Sequence, residues 1–137
     1  MKRISVWGLV LLLCAVLIAS CANTGQGKSP VDAISIEMSE FKFSPAEMVV
    51  FAGKEISLNL SNTGAVEHEF SILKKGASAN IPFDQEKQAA DILFEARLGA
   101  NKSSMYKFTL PDTGEYQVVC GIQGHAESGM VATLIAK

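Results

Sequence analysis

A chain of 137 residues has room for one domain and a short export segment, not for two domains. Its 12 basic and 14 acidic residues nearly balance, and no basic cluster stands in the chain that could grip nucleic acid. Three cysteines and two histidines restrict thiol and imidazole chemistry to a few positions.

The first predicted element is the export segment, residues 1–20. Lys2 and Arg3 give a positive start, and an apolar run follows from Ile4 to Ala19. As a helix those residues would span roughly 24 Å at about 1.5 Å per residue. A bilayer core needs about 30 Å, so a signal peptide fits better than a permanent span. Leu17-Ile18-Ala19-Ser20-Cys21 resembles the bacterial lipobox, in which the cysteine takes a diacylglyceryl group and becomes the first mature residue. The alternative is a plain secretory signal with an incidental cysteine. Two or three acyl chains on Cys21 would anchor the chain stably where one would not. Residues 21–30 are small and polar and read as a flexible tether. Loss of Lys2 and Arg3 with the signal leaves 10 basic against 14 acidic residues, a formal charge of −4.

From residue 31 to 137 the pattern has period two, with turns between the runs. Ile34, Ile36 and Met38 alternate with polar neighbours, then Phe41-Lys42-Phe43 before Ser44-Pro45. Met48–Phe51 is a short apolar run closed by Ala52-Gly53-Lys54. Ile56, Leu58 and Leu60 alternate up to the turn Asn62-Thr63-Gly64. In Val66–Leu73, His68 shares the apolar face of Val66, Phe70 and Ile72, with Glu67, Glu69 and Ser71 opposite. Runs follow at Ile92–Leu98, Met105–Leu110, Glu115–Cys120 and Met130–Ala136. Seven to nine short strands of this kind predict an antiparallel β-sandwich. Residues 76–90 break the pattern and read as a polar flap or short helix. Met38, Met48 and Met105 are expected to fill gaps in the core, and Glu67 and Glu69 to face solvent.

Chemistry is concentrated in Cys120-Gly121-Ile122-Gln123-Gly124-His125-Ala126-Glu127-Ser128-Gly129-Met130. Cys14 falls in the apolar signal and Cys21 is claimed by the lipid, so Cys120 is left alone in an oxidising compartment. A bound metal is one way to protect such a thiol; inert burial, or a disulfide to an unlipidated Cys21, are the others. Gly121 and Gly124 allow a tight loop that turns His125 back, and Gly129 lets Met130 start the last strand. His68 lies on an inward face across the sheets. Thiolate, two imidazoles and a weak thioether together suit one copper ion in both the Cu(I) and Cu(II) states. Zinc would normally show paired short spacings such as C-x-x-C, which are lacking. A Cys-His protease dyad is possible by composition, but nothing suggests an oxyanion site.

Phe41-Lys42-Phe43-Ser44-Pro45, Ala52-Gly53-Lys54, Asn62-Thr63-Gly64, Val66-Glu67-His68-Glu69-Phe70, Gly114-Glu115-Tyr116 and Cys120 through Met130 together resemble the cupredoxins of the plastocyanin/azurin type. The resemblance covers essentially all of residues 31–137. It implies a Greek-key sandwich of about eight strands. It also implies His68, Cys120 and His125 as equatorial copper ligands, with Met130 as the weak axial one. Two positions depart from the family pattern: Gln123 stands where proline is frequent, and Glu69 where asparagine is frequent. The activity implied is one-electron transfer, not catalysis, by an exported chain lipid-anchored to a bacterial membrane. It would serve a protein electron donor and acceptor and is expected to be monomeric. The alternative is an exported protein for copper binding, delivery or sensing. Two histidines are too few for the extra copper sites of multicopper enzymes.

Overall fold

The computed structural model describes residues 28–137. The export segment 1–20, Cys21 and the tether up to residue 27 lie outside the described residues. Nine strands follow: β1 (Ala33–Ser39), β2 (Lys42–Ser44), β3 (Glu47–Val50), β4 (Glu55–Asn62), β5 (His68–Leu73), β6 (Ile92–Leu98), β7 (Ser103–Thr109), β8 (Gly114–Val119) and β9 (Val131–Ala136). They form two stacked sheets, ordered β2-β1-β4-β7 and β3-β9-β8-β5-β6. The expected β-sandwich is present. Each sheet holds one parallel pair, β1 with β4 and β3 with β9, beside its antiparallel ladders.

Alternation decides which side chains fill the space between the sheets. Ile34, Ile36 and Met38 of β1 and Ile56, Leu58 and Leu60 of β4 point in from one sheet. Phe70 and Ile72 of β5, Tyr116 and Val118 of β8 and Leu134 of β9 point in from the other. Phe43 and Phe70 meet edge to face at 5.6 Å between ring centroids, stacking one sheet on the other. Tyr116 is buried whole, and its hydroxyl is satisfied within the Pro111–Gly114 turn: it donates to the Asp112 carbonyl at 2.8 Å and accepts the Asp112 N–H at 3.2 Å.

Met38 and Met48 fill the core as expected, but Met105 does not: it is 76% exposed. The reason is register. β7 is the edge strand paired to β4, and its alternation turns Tyr106 and Phe108 inward, leaving Met105 and Lys107 outside. Likewise Phe43 is buried while Phe41 stands exposed at the turn into β2, with a left-handed φ of 58°.

The segment between β5 and β6 is the expected flap, ending in a 3-10 turn at Ala89–Asp91. It lies over the outer face of the five-stranded sheet. Phe83 packs there with Leu73, Val119 and Ala126 in a second, smaller apolar cluster. This cover explains why all six residues of β5 are buried rather than every other one. Among the described residues no helix is long and apolar enough to cross a membrane.

Candidate metal centre

The site forms where β5 and β8 reach the same end of the sandwich. His68 opens β5 and Cys120 directly follows β8; both are fully buried. Behind Cys120 the chain makes a compact loop closed by its own backbone. The His125 N–H bonds the Ile122 carbonyl at 3.0 Å, the Met130 N–H bonds the His125 carbonyl at 2.9 Å, and the Cys120 N–H bonds the Met130 carbonyl at 3.1 Å. Gly124 and Gly129 sit at φ of 83° and 93°, which lets this loop turn tightly. The closures bring the cysteine, the second histidine and the methionine to one place. Met130 is fully buried at the base of the loop, and His125 is half-buried.

Three donor atoms converge. His68 Nδ1 and His125 Nδ1 lie 3.1 Å apart, and Cys120 Sγ lies 3.4 Å from His125 Nδ1. All three fall within 4.8 Å of one another, the one such grouping of metal-ligating residues among those described. Two nitrogens each about 2.0–2.1 Å from one ion can stand this far apart. Burial holds His68 below the ordinary imidazole range; the neighbouring His125 adds to this and Glu40 opposes it. A neutral imidazole is the form that binds metal. Burial pushes the Cys120 thiol up, against a backbone N–H from Glu69 that reaches Sγ at 3.4 Å. A cation supplies the charge that stabilises the thiolate there. His68 Nε2, on the far side of the ring, is buried without a hydrogen-bond partner. The ring turns Nδ1 toward the other two donors.

Two glycines near the site serve close approach. A Cβ on Gly64 would lie 2.8 Å from His68 Nε2, so a side chain there would displace the ring. Asn62, nearly fully buried, holds that turn: its side-chain NH2 donates to the carbonyls of Val66 and Leu98, and its oxygen accepts the Gly64 N–H at 2.9 Å. A Cβ on Gly121 would collide with the Glu69 carboxylate and lie 2.7 Å from Gln85 Oε1.

Glu69 corrects the sequence reading. It is 1% exposed, not solvated. Its Oε2 accepts from Arg97 Nε at 2.9 Å and Nη2 at 2.6 Å, and its Oε1 accepts from Ser71 Oγ. The alternation of β5 was sound, but the flap and Arg97 cover the face on which Glu69 stands. Glu67 does face solvent, half-exposed and 3.5 Å from Arg97. Arg97, Gln85 and Phe83 carried no motif in the sequence; Asn62 was read as part of a turn, without its bonds to Val66 and Leu98. Arg97 reaches Glu69 only through the β5–β6 register that pairs the two residues. Phe41 packs edge-on against His125, with ring centroids 5.2 Å apart, from a turn that its position in a short alternating run did not reveal. The loop is also held from the flap: Glu127 accepts the Phe83 N–H at 2.9 Å, and Ala126 packs in the small cluster with Phe83.

The family described as the cupredoxin-like domain matches residues 8–133. The copper-resistant cuproprotein CopI of Rubrivivax gelatinosus is 27% identical over 110 residues, covering 76% of this chain and 66% of that protein. The chain thus spans slightly less than two thirds of that relative. Among solved structures, dithionite-reduced auracyanin from Roseiflexus castenholzii superposes with a TM-score of 0.70 at 23% identity, over 80% of this chain and 99% of that one. Auracyanin A of Chloroflexus aurantiacus, described as a blue copper protein, gives 0.62 at 24% identity, over 80% and 100%. Rusticyanin from Thiobacillus ferrooxidans gives 0.58 at 19% identity, over 78% and 79%. At these identities the structural likenesses speak to fold, and the two-sheet sandwich is common to them. On the match across nearly its whole length, the chain belongs to the cupredoxin-like domain family.

Proposed function

We propose that this chain holds one copper ion through His68, Cys120, His125 and Met130 and carries one electron at a time between redox partner proteins. The observation that carries the reading is the convergence of two imidazole Nδ1 atoms and one thiol Sγ at the end of a β-sandwich. Copper supplies the Cu(I)/Cu(II) couple. The chain's own residues supply a mixed nitrogen and sulfur ligand set that suits both states. His68 is fixed on a strand between the sheets, so it has little freedom to follow a change at the metal. Cys120 and Met130 bracket a loop whose backbone bonds hold both ends. His125 is the one member of the set that is not fully buried, and Phe41 stands beside it at the surface, so an electron has a short route to a partner docked there. The lipobox-like Cys21 and the tether of residues 21–30 would keep the domain at a bacterial membrane, on its exported side.

The similarity to a copper-resistant cuproprotein favours a second reading, exported copper handling without a redox circuit. The two differ in how tightly the ion is held. A carrier with buried ligands keeps its copper against a competing chelator on a timescale far longer than electron exchange. A delivery protein gives it up readily. Stopped-flow oxidation and reduction of the copper-loaded protein, set beside copper transfer to a chelator, separates them. Rapid electron exchange with slow copper loss supports the carrier; copper loss as fast as electron exchange supports delivery.

A further inference from the structure

We propose that the ion pair between buried Glu69 and half-exposed Arg97 is a positioning device for Cys120, and that its two charges set the balance between the two copper oxidation states. This rests on the copper reading above. Glu69 touches the cysteine turn twice. Its backbone N–H donates to Cys120 Sγ at 3.4 Å. Its carboxylate lies against Gly121, the next residue, so closely that no Cβ fits there. The thiolate and the turn that carries it are both seated on one residue.

That residue is itself fixed. Arg97 grips Oε2 with two nitrogens, and the Ser71 hydroxyl donates to Oε1 at 2.5 Å. Arg97 is held in turn by Gln85 of the flap at 3.2 Å, and Gln85 donates to Glu95 at 2.7 Å. The β5–β6 register sets Glu69 opposite Arg97 one residue away from the pairing of His68 with Leu98. A carboxylate so deeply buried is costly unless paired, and Arg97 provides the pairing.

Both charges lie beside the cysteine turn: the Glu69 N–H reaches Cys120 Sγ at 3.4 Å, its carboxylate lies against Gly121, and Arg97 grips that carboxylate with two nitrogens. Reduction of copper adds one electron, so the site becomes one unit more negative. A fixed negative charge nearby opposes that step and a fixed positive charge assists it. The two charges act in opposite directions, and removing either member alone leaves the other unopposed.

The test is the reduction potential of the copper-loaded protein for Glu69→Gln, Arg97→Gln and the double variant, with Glu67→Gln as an exposed control. Cu(I) and Cu(II) affinities are measured alongside. Glu69→Gln should shift the Cu(I)-to-Cu(II) affinity ratio toward Cu(I), on the order of tenfold, and Arg97→Gln should shift it the opposite way. Each tenfold change corresponds to about 59 mV for one electron. The double variant should return most of the way to the parent value, and Glu67→Gln should stay near it. Shifts in the same direction, or none in Glu69→Gln, would overturn the proposal. If Arg97→Gln fails to load copper, Arg97→Lys keeps the charge without the fork: a near-parental ratio beside the shifted Glu69→Gln supports the proposal, and a ratio shifted as in Glu69→Gln overturns it. If the parent protein binds no copper, both this proposal and the copper reading fall; if the parent loads normally and the variants do not shift, this proposal alone falls.

Discussion

The two faces of β5 do different work with the same alternating residues. The inner face carries His68, Phe70 and Ile72 into the space between the sheets, where Phe70 and Ile72 join the main apolar core. The outer face carries Glu69, Ser71 and Leu73 under the flap, where a hydrogen-bonded network and a small apolar cluster hold the cysteine turn. The strand thus reaches the candidate metal centre from both sides, presenting His68 itself and bracing Cys120. Packing free energy is concentrated on the inner face, and charge close to the sulfur on the outer.

The comparison breaks hardest at Phe70. Truncation to Ala empties the contact with Phe43 between the sheets and should lower unfolding free energy by about 3–5 kcal/mol, read from urea denaturation of the metal-free protein. A loss below about 1 kcal/mol would show that the inner face does not carry the packing. On the outer face, Phe83→Ala removes the largest member of a cluster of only four buried residues. It should cost less, about 2 kcal/mol, because a site near the surface can collapse or admit water. It should also speed copper loss to a chelator, since Ala126 and Glu127 of the metal loop rest on that segment. Unchanged copper release would mean that the flap covers the loop without bracing it.

A smaller effect concerns the thiol. In the metal-free protein Cys120 is buried and its thiol is held above the ordinary range. Alkylation should therefore be slow at neutral pH. Its rate should still be rising with pH beyond about 8.5, the midpoint of an unperturbed thiol. A plateau below that pH would mean an exposed or activated sulfur. The smallest effect is expected for Glu67→Gln. Glu67 meets Arg97 at 3.5 Å with both side chains about half exposed, so solvent screens the pair and stability should move by no more than about 0.5 kcal/mol. Its neighbour two residues along, bonded to the same guanidinium but buried, marks how much the cover of the flap matters.

The candidate ligands stand out in the sequence because metal chemistry needs particular atoms, and few residues here offer them. Two histidines and one cysteine of the domain leave little choice, and the Cys120–Met130 spacing carries its own loop. Strand positions were legible from alternation, and so was the break at the flap. Alternation separates two faces but does not say whether a face meets water. Glu69 looks like Glu67 in the sequence, and only the flap over β5 and the Arg97 register make them different. Met105 was misread for the converse reason: an edge strand leaves a large apolar group outside a core that alternation alone would fill.

The most direct measurement is the visible spectrum of the purified protein during titration with Cu(II), with Cys120→Ser in parallel. One equivalent should develop an intense thiolate-to-copper absorption that saturates at one ion per chain and is lost in Cys120→Ser, because His68, His125 and Cys120 converge on a single point. A parent protein that gives no such band, or a band that survives Cys120→Ser, would contradict the assignment.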